Sequence, residues 1–126
     1  KWLPEKNIDV FFVTLNKADK DYSPTTMYND YSINENLFHW QSQSTTAENS
    51  PTGQRYIHHK ERGSKVLLFV REFKSDRVTG GAEAYTYLGT ASYVKHEGSR
   101  PMNITWRLDR PIPAKFLKKT NKLVVG

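Results

Sequence analysis

Met102-Asn103-Ile104-Thr105-Trp106-Arg107-Leu108 alternates apolar and polar side chains without a break. Successive residues of an extended chain point to opposite faces, so Met102, Ile104, Trp106 and Leu108 share one side and Asn103, Thr105 and Arg107 the other. A helix would scatter these four large side chains around its axis, so the segment reads as a half-buried strand with Trp106 in the core. Pro111-Ile112-Pro113 stops it, and Ala114 to Lys119 suits one or two helical turns.

Four further stretches read as strands. Ile8 to Leu15 is rich in β-branched and aromatic residues, as a largely buried strand would be. Leu37 to Ser44 sets Phe38 and Trp40 against His39, Gln41 and Gln43. Lys65 to Phe73 carries the strongest apolar run, long enough for a central strand and short for a helix. Tyr85 to Val94 places Tyr85, Tyr87, Gly89, Ala91 and Tyr93 on one face, with Gly89 marking a bulge or bend. Between them, Ser23-Pro24 offers an N-cap and first-turn proline for a short helix bearing Met27 and Tyr31. Thr45 to Gly53 reads as a polar loop ending in the turn signal Ser50-Pro51-Thr52-Gly53, and Asp76 to Ala84, with Gly80-Gly81, as a hairpin or loop. The expected fold is mainly β (α+β): a small bent antiparallel sheet or partly open β-barrel of about five strands, with one or two short helices.

The chain has 126 residues, one domain's worth, and its 13% aromatic content supports a packed core rather than disorder. It has no cysteine, which excludes disulfides, thiolate metal sites and thiol nucleophiles. No apolar run is long enough to span a membrane. Lys1-Trp2-Leu3-Pro4 lacks an initiator Met and a signal-peptide pattern, and reads as the start of a segment of a longer chain.

The net charge of +6 is unevenly spread. Residues 1–50 and 75–94 are net acidic, whereas residues 51–74 carry +4 and residues 95–126 carry +6. If these two blocks lie together they form a stripe able to follow a phosphate backbone; apart, they are solvated surface.

Catalytic patterns are incomplete. His58-x-Lys60 begins a phospholipase-D-like motif, but Lys65 stands where its Asp belongs. Glu72-x-Lys74 echoes half of a metal-dependent nuclease site without an evident upstream acid, and reads more simply as a charged pair at a strand end. The histidines lack metal-ligand spacing. The expectation is no catalytic residue, metal or cofactor. A nucleic-acid surface is better supplied. For base or modification readout the candidates are His39, Gln41, Gln43, Tyr56 and His59; for phosphate they are Arg55, Lys60, Arg62, Lys95, Ser99 and Arg100. An extruded base would use Tyr56, His39 and Gln41, whereas readout of shape or an altered backbone would draw on Arg55, His59 and Arg62.

Several uncommon strings resemble one bacterial family, domain of unknown function 3427. They are Asp9 to Lys17, Tyr22 to Tyr28, Leu37-Phe38-His39-Trp40-Gln41-Ser42-Gln43-Ser44, Ser50 to Tyr56, Tyr87 to Ala91 and His96-Glu97-Gly98-Ser99-Arg100-Pro101-Met102. The resemblance implies the C-terminal part of a cytoplasmic restriction or anti-phage protein that also carries a superfamily-two helicase and a phospholipase-D-like nuclease. It implies no ligand residues. The combined expectation is a non-catalytic DNA-recognition domain acting on double-stranded DNA, with reading of modified DNA as its finer form. The alternatives are a module that docks on the helicase or nuclease portion and, lower, a metal-dependent nuclease using Glu72 and Lys74.

Overall fold

The computed structural model describes residues 1–16, 30–75 and 78–120. Among these, seven strands form one open sheet: β1 (Trp2–Leu3), β2 (Ile8–Asn16), β3 (Tyr31–Ser32), β4 (Leu37–Gln41), β5 (Lys65–Phe73), β6 (Thr86–Glu97) and β7 (Asn103–Leu108). Two short helices accompany it, α1 (Pro51–Ile57) and α2 (Ala114–Thr120). No helix among the described residues is long and apolar enough to cross a membrane. The five strands expected from the sequence are β2, β4, β5, β6 and β7. The two extra ones, β1 and β3, are two-residue edge pairings, too short to leave a periodic signal.

The strand order is β1-β2-β5-β6-β7-β4-β3. Neighbours run antiparallel except β2 and β5, which are parallel with Phe12 opposite Phe69. An all-antiparallel sheet is therefore corrected to a mixed one. After β2 the chain lays down β3 and β4 at the far edge, returns through α1, and enters β5 alongside β2. The helix expected at Ser23-Pro24 lies outside the described residues, except that Tyr31 sits in β3.

One face of the sheet holds the core. Phe11, Val13 and Leu15 from β2, Val66, Leu68 and Val70 from β5, and Ile104, Trp106 and Leu108 from β7 are all buried there, with Phe116 of α2 and Tyr56 of α1. The alternation that marked β7 in the sequence places Ile104, Trp106 and Leu108 in the core, although Thr105 on the opposite face is buried as well. Trp106 lies within an aromatic cluster, its ring 5.5 Å from Phe11 and 6.3 Å from Tyr93. Its indole Nε1 is buried without a hydrogen-bond partner, at a cost of about 1–3 kcal/mol that the surrounding packing must exceed. β2, expected to be largely buried, is half so, because Phe12 points to the opposite face and is 55% exposed.

Bulges reset the β6 pattern. Leu68 pairs with Gly89 and Phe69 with Tyr87, leaving Leu88 as the extra residue. Gly89 adopts φ +105, a conformation that disfavours side chains, as its predicted role at a bulge requires. Tyr85 and Tyr87 consequently meet Phe12 and Phe69 on the outer face, while Ala91 and Tyr93 stay with the core, which splits the single row expected from alternation.

The segment expected as a loop after Ser50 is helix α1. Ser50 is its N-cap, its Oγ accepting from Gly53 N at 3.0 Å, and Pro51 occupies the first turn. Gly53 is there for close packing, since a Cβ would lie 2.3 Å from Ala47 O and 3.0 Å from Glu48 O. Alanine normally stabilises a helix relative to glycine by about 1 kcal/mol. Here the sign reverses: Gly53→Ala is expected to destabilise by about 2–3 kcal/mol in urea unfolding, because backbone has to move. A stabilised variant would mean that α1 does not dock on the 47–48 segment.

Candidate functional site

The residues singled out from the sequence separate into buried and exposed sets. Asp9, the second residue of apolar β2, faces inward and is 1% exposed. Arg55 of α1 meets it in a bidentate pair, Nε to Oδ2 at 2.8 Å and Nη2 to Oδ1 at 3.0 Å. Its guanidinium also lies 4.3 Å from the Trp2 ring centroid. Arg55, expected as a phosphate contact, is thus held by a buried carboxylate and keeps 16% side-chain exposure.

His59, expected as a readout residue, is placed in the interior. It is 2% exposed, and its Nε2 accepts from Tyr93 N at 3.1 Å, so Nδ1 carries the proton and donates to Ser64 O at 3.1 Å. Both nitrogens are used in joining the turn after α1 to β6. Base readout would need one of them at the surface.

Tyr56 packs edge-on against Phe11 and Trp40, which stack on each other at 4.1 Å. These three rings with Trp2, Gln43, Thr46, Ser50, Thr52, Asp9 and Arg55 line a cavity of about 540 Å³. Desolvation, with the Asp9 charge adding to it, pushes the Tyr56 phenol up to about 12 from an ordinary value of 10. A phenol that resists ionisation in the fold supports stability below pH 10 and loses that support as pH rises towards 12. Wild-type stability is therefore expected to fall by about 2–3 kcal/mol over that interval, a fall Tyr56→Phe removes; a 295 nm titration paired with unfolding checks both.

The expected row of His39, Gln41 and Gln43 is divided. His39 faces outward on β4, stacked on Tyr31 at 4.6 Å, and Gln41 donates through Nε2 to Asn103 Oδ1 at 3.1 Å. β4 ends there, because Ser42 N turns to Met102 O and Ser42 Oγ accepts from Met102 N. Gln43 falls beyond the strand and lines the larger cavity. His39 and Lys95 instead flank a smaller groove of about 320 Å³ with Leu37 and Thr105.

The Gly98-Ser99-Arg100 turn, foreseen as a hairpin, joins β6 to β7 and is tied to the cavity loop. Ser99 Oγ accepts from Glu48 N at 2.9 Å, and Arg100 N donates to Thr46 O at 2.9 Å. Ser99 thus spends its hydroxyl on the fold, while the Arg100 side chain is exposed. His96 braces the same junction, its Nε2 2.7 Å from Glu48 and its Nδ1 2.7 Å from the Tyr93 hydroxyl, whose ionisation burial shifts upward.

Lys60, Arg62 and Lys95 are exposed, as phosphate contacts must be. The sheet adds two cations that the sequence did not single out. Lys65 and Arg107 are exposed and alternate with inward neighbours, so both project from the outer face. Ser92 pairs with Arg107 on one side and, one step from the Val66–Ala91 pair, faces Lys65 on the other. The two cations therefore flank one strand, about 10 Å apart by ordinary strand spacing. The basic blocks 51–74 and 95–126 meet in this row. Asn7 extends it, donating through Nδ2 to Arg62 O at 3.4 Å and through its carbonyl accepting from Lys65 N at 3.1 Å.

His58 Nδ1 lies 3.0 Å from Glu61 Oε1, an interaction that holds the Glu61 carboxyl below its ordinary range. Glu72 and Phe73 donate their N–H groups to Glu83 Oε2, fixing the end of β5. Among the described residues no three His, Asp or Glu side chains gather as a metal site. No curated protein matches the chain. A family model does, over residues 3–119, from β1 across the whole sheet into α2, and the chain therefore belongs to the family described as Domain of unknown function (DUF3427).

Proposed function

We propose that this chain is a non-catalytic recognition domain for double-stranded DNA, one module of a larger cytoplasmic bacterial defence protein with helicase and nuclease portions. The observation that carries the reading is the meeting of two separated basic blocks in one outer-face row, Lys65 and Arg107 astride Ser92; Lys60, Arg62 and Lys95 are exposed as well. Phosphates of a duplex are the polyanion such a row suits, and each neutralised phosphate steepens the salt dependence of binding. The finer part of the proposal assigns modification readout to the 540 Å³ cavity, where aromatic walls and the polar groups of Gln43, Thr46, Ser50 and Thr52 suit an extruded, altered base.

Fluorescence anisotropy tests both parts, using one duplex prepared unmodified or with methylated, hydroxymethylated or glucosylated bases over a salt series. Submicromolar binding whose logarithm falls linearly with the logarithm of salt is expected, with a preference for one modified form. Binding without preference would remove the cavity from the account, and absence of binding would favour a docking role on a protein partner.

A further inference from the structure

The outer face carries a second feature beside the basic row. Phe12, Phe69 and Tyr87 stand directly opposite one another on three adjacent strands. Their rings form a continuous run, Phe12 to Phe69 at 5.3 Å between centroids and Phe69 to Tyr87 at 4.9 Å. Phe12 is 55% and Tyr87 42% exposed, so the run presents ring surface to solvent. Guanidinium groups border it, Arg71 4.5 Å from the Tyr85 centroid and Arg110 5.8 Å from that of Tyr87. Gly89 makes room for the second, because a Cβ there would lie 3.3 Å from Arg110 Nε.

We propose that this aromatic run is a stacking platform for unpaired bases, so that the outer face binds single-stranded nucleic acid, the backbone held by Arg110, Arg107 and Lys65. The proposal rests on the nucleic-acid reading of that face and adds a preference for strands that are open. An exposed sheet face bearing aromatic rings suits any base, since every base has a π-face, and cations beside it neutralise the phosphates. A protein partner would gain as much from the rings but would need acidic groups to match the arginines. Among the described residues neither Arg71 nor Arg110 is in an ion pair, so their charges are left for an anionic ligand.

The test compares anisotropy of the whole chain with a labelled oligothymidine of about fifteen nucleotides and with a duplex of equal length, for three proteins. Phe12→Leu combined with Tyr87→Leu keeps apolar bulk and removes two aromatic faces. It is expected to weaken single-strand binding about tenfold or more, to leave duplex binding within about twofold, and to preserve the salt slope. Phe12→Trp is expected to retain or tighten single-strand binding and to show tryptophan quenching on contact. Lys65→Ala combined with Arg107→Ala is expected to weaken both. If the leucine pair changes neither affinity while the alanine pair weakens duplex binding, the platform is overturned and the basic row stands. If the wild-type chain binds neither oligonucleotide, both readings fall and the rings belong to a protein contact.

Discussion

Arg55→Ala is expected to cost about 3–5 kcal/mol of folding stability, as much as truncating a buried aromatic. The arithmetic rests on Asp9, whose side chain is 2% exposed and whose two oxygens each receive a hydrogen bond from Arg55. Removing the arginine leaves a carboxylate in the interior without its counter-charge, and a domain has only about 5–15 kcal/mol to lose. The converse change should be milder, because Arg55 retains 16% side-chain exposure and can turn toward water. Replacing both together, Asp9→Leu with Arg55→Met, is expected to recover most of the loss, since apolar packing of similar volume serves nearly as well as a buried pair. Urea unfolding of the four proteins checks this. A loss below about 1 kcal/mol in Arg55→Ala would show that the pair does not fasten α1 to the sheet. A binding defect in that variant would otherwise be mistaken for a lost phosphate contact.

Lys65→Ala with Arg107→Ala is the complementary case, with a large effect on binding and little on folding. Both side chains are exposed, so each substitution should change stability by less than about 0.5 kcal/mol. Two lost phosphate contacts should lower the slope of log affinity against log salt by about 1.8 and weaken duplex binding about tenfold or more at low salt. The same double change with an unaltered slope would remove this row from the interface.

The contrast between Arg55 and Lys65 shows where the sequence is informative. The five long strands were legible because side-chain alternation is a local property, and Gly89 announced its bulge for the same reason. β1 and β3 are too brief to alternate, and the parallel β2–β5 pairing depends on where a long connection returns. Ser50, Pro51 and Gly53 suit a turn and a helix start equally, and the close approach of Gly53 to the Ala47 carbonyl in α1 is a packing feature that residue type alone does not announce. In the site, charge and polarity were visible but their commitments were not. Arg55 and His59 are consumed by partners 46 and 34 positions away in the chain. Two signals were available. Asp9 among Ile8, Val10 and Phe11 needed a cationic partner once buried, and the adjacent Phe11 and Phe12 could not both face the core of a strand.

The central claim is that the outer row over β5, β6 and β7 holds nucleic acid. Amide chemical-shift mapping of the nitrogen-labelled chain during titration with duplex tests it residue by residue. Shifts concentrated at Lys65, Ser92 and Arg107, diminishing as salt is raised, are the predicted result. Saturable shifts confined to α2 and the β3–β4 edge, or none at low salt, would contradict it.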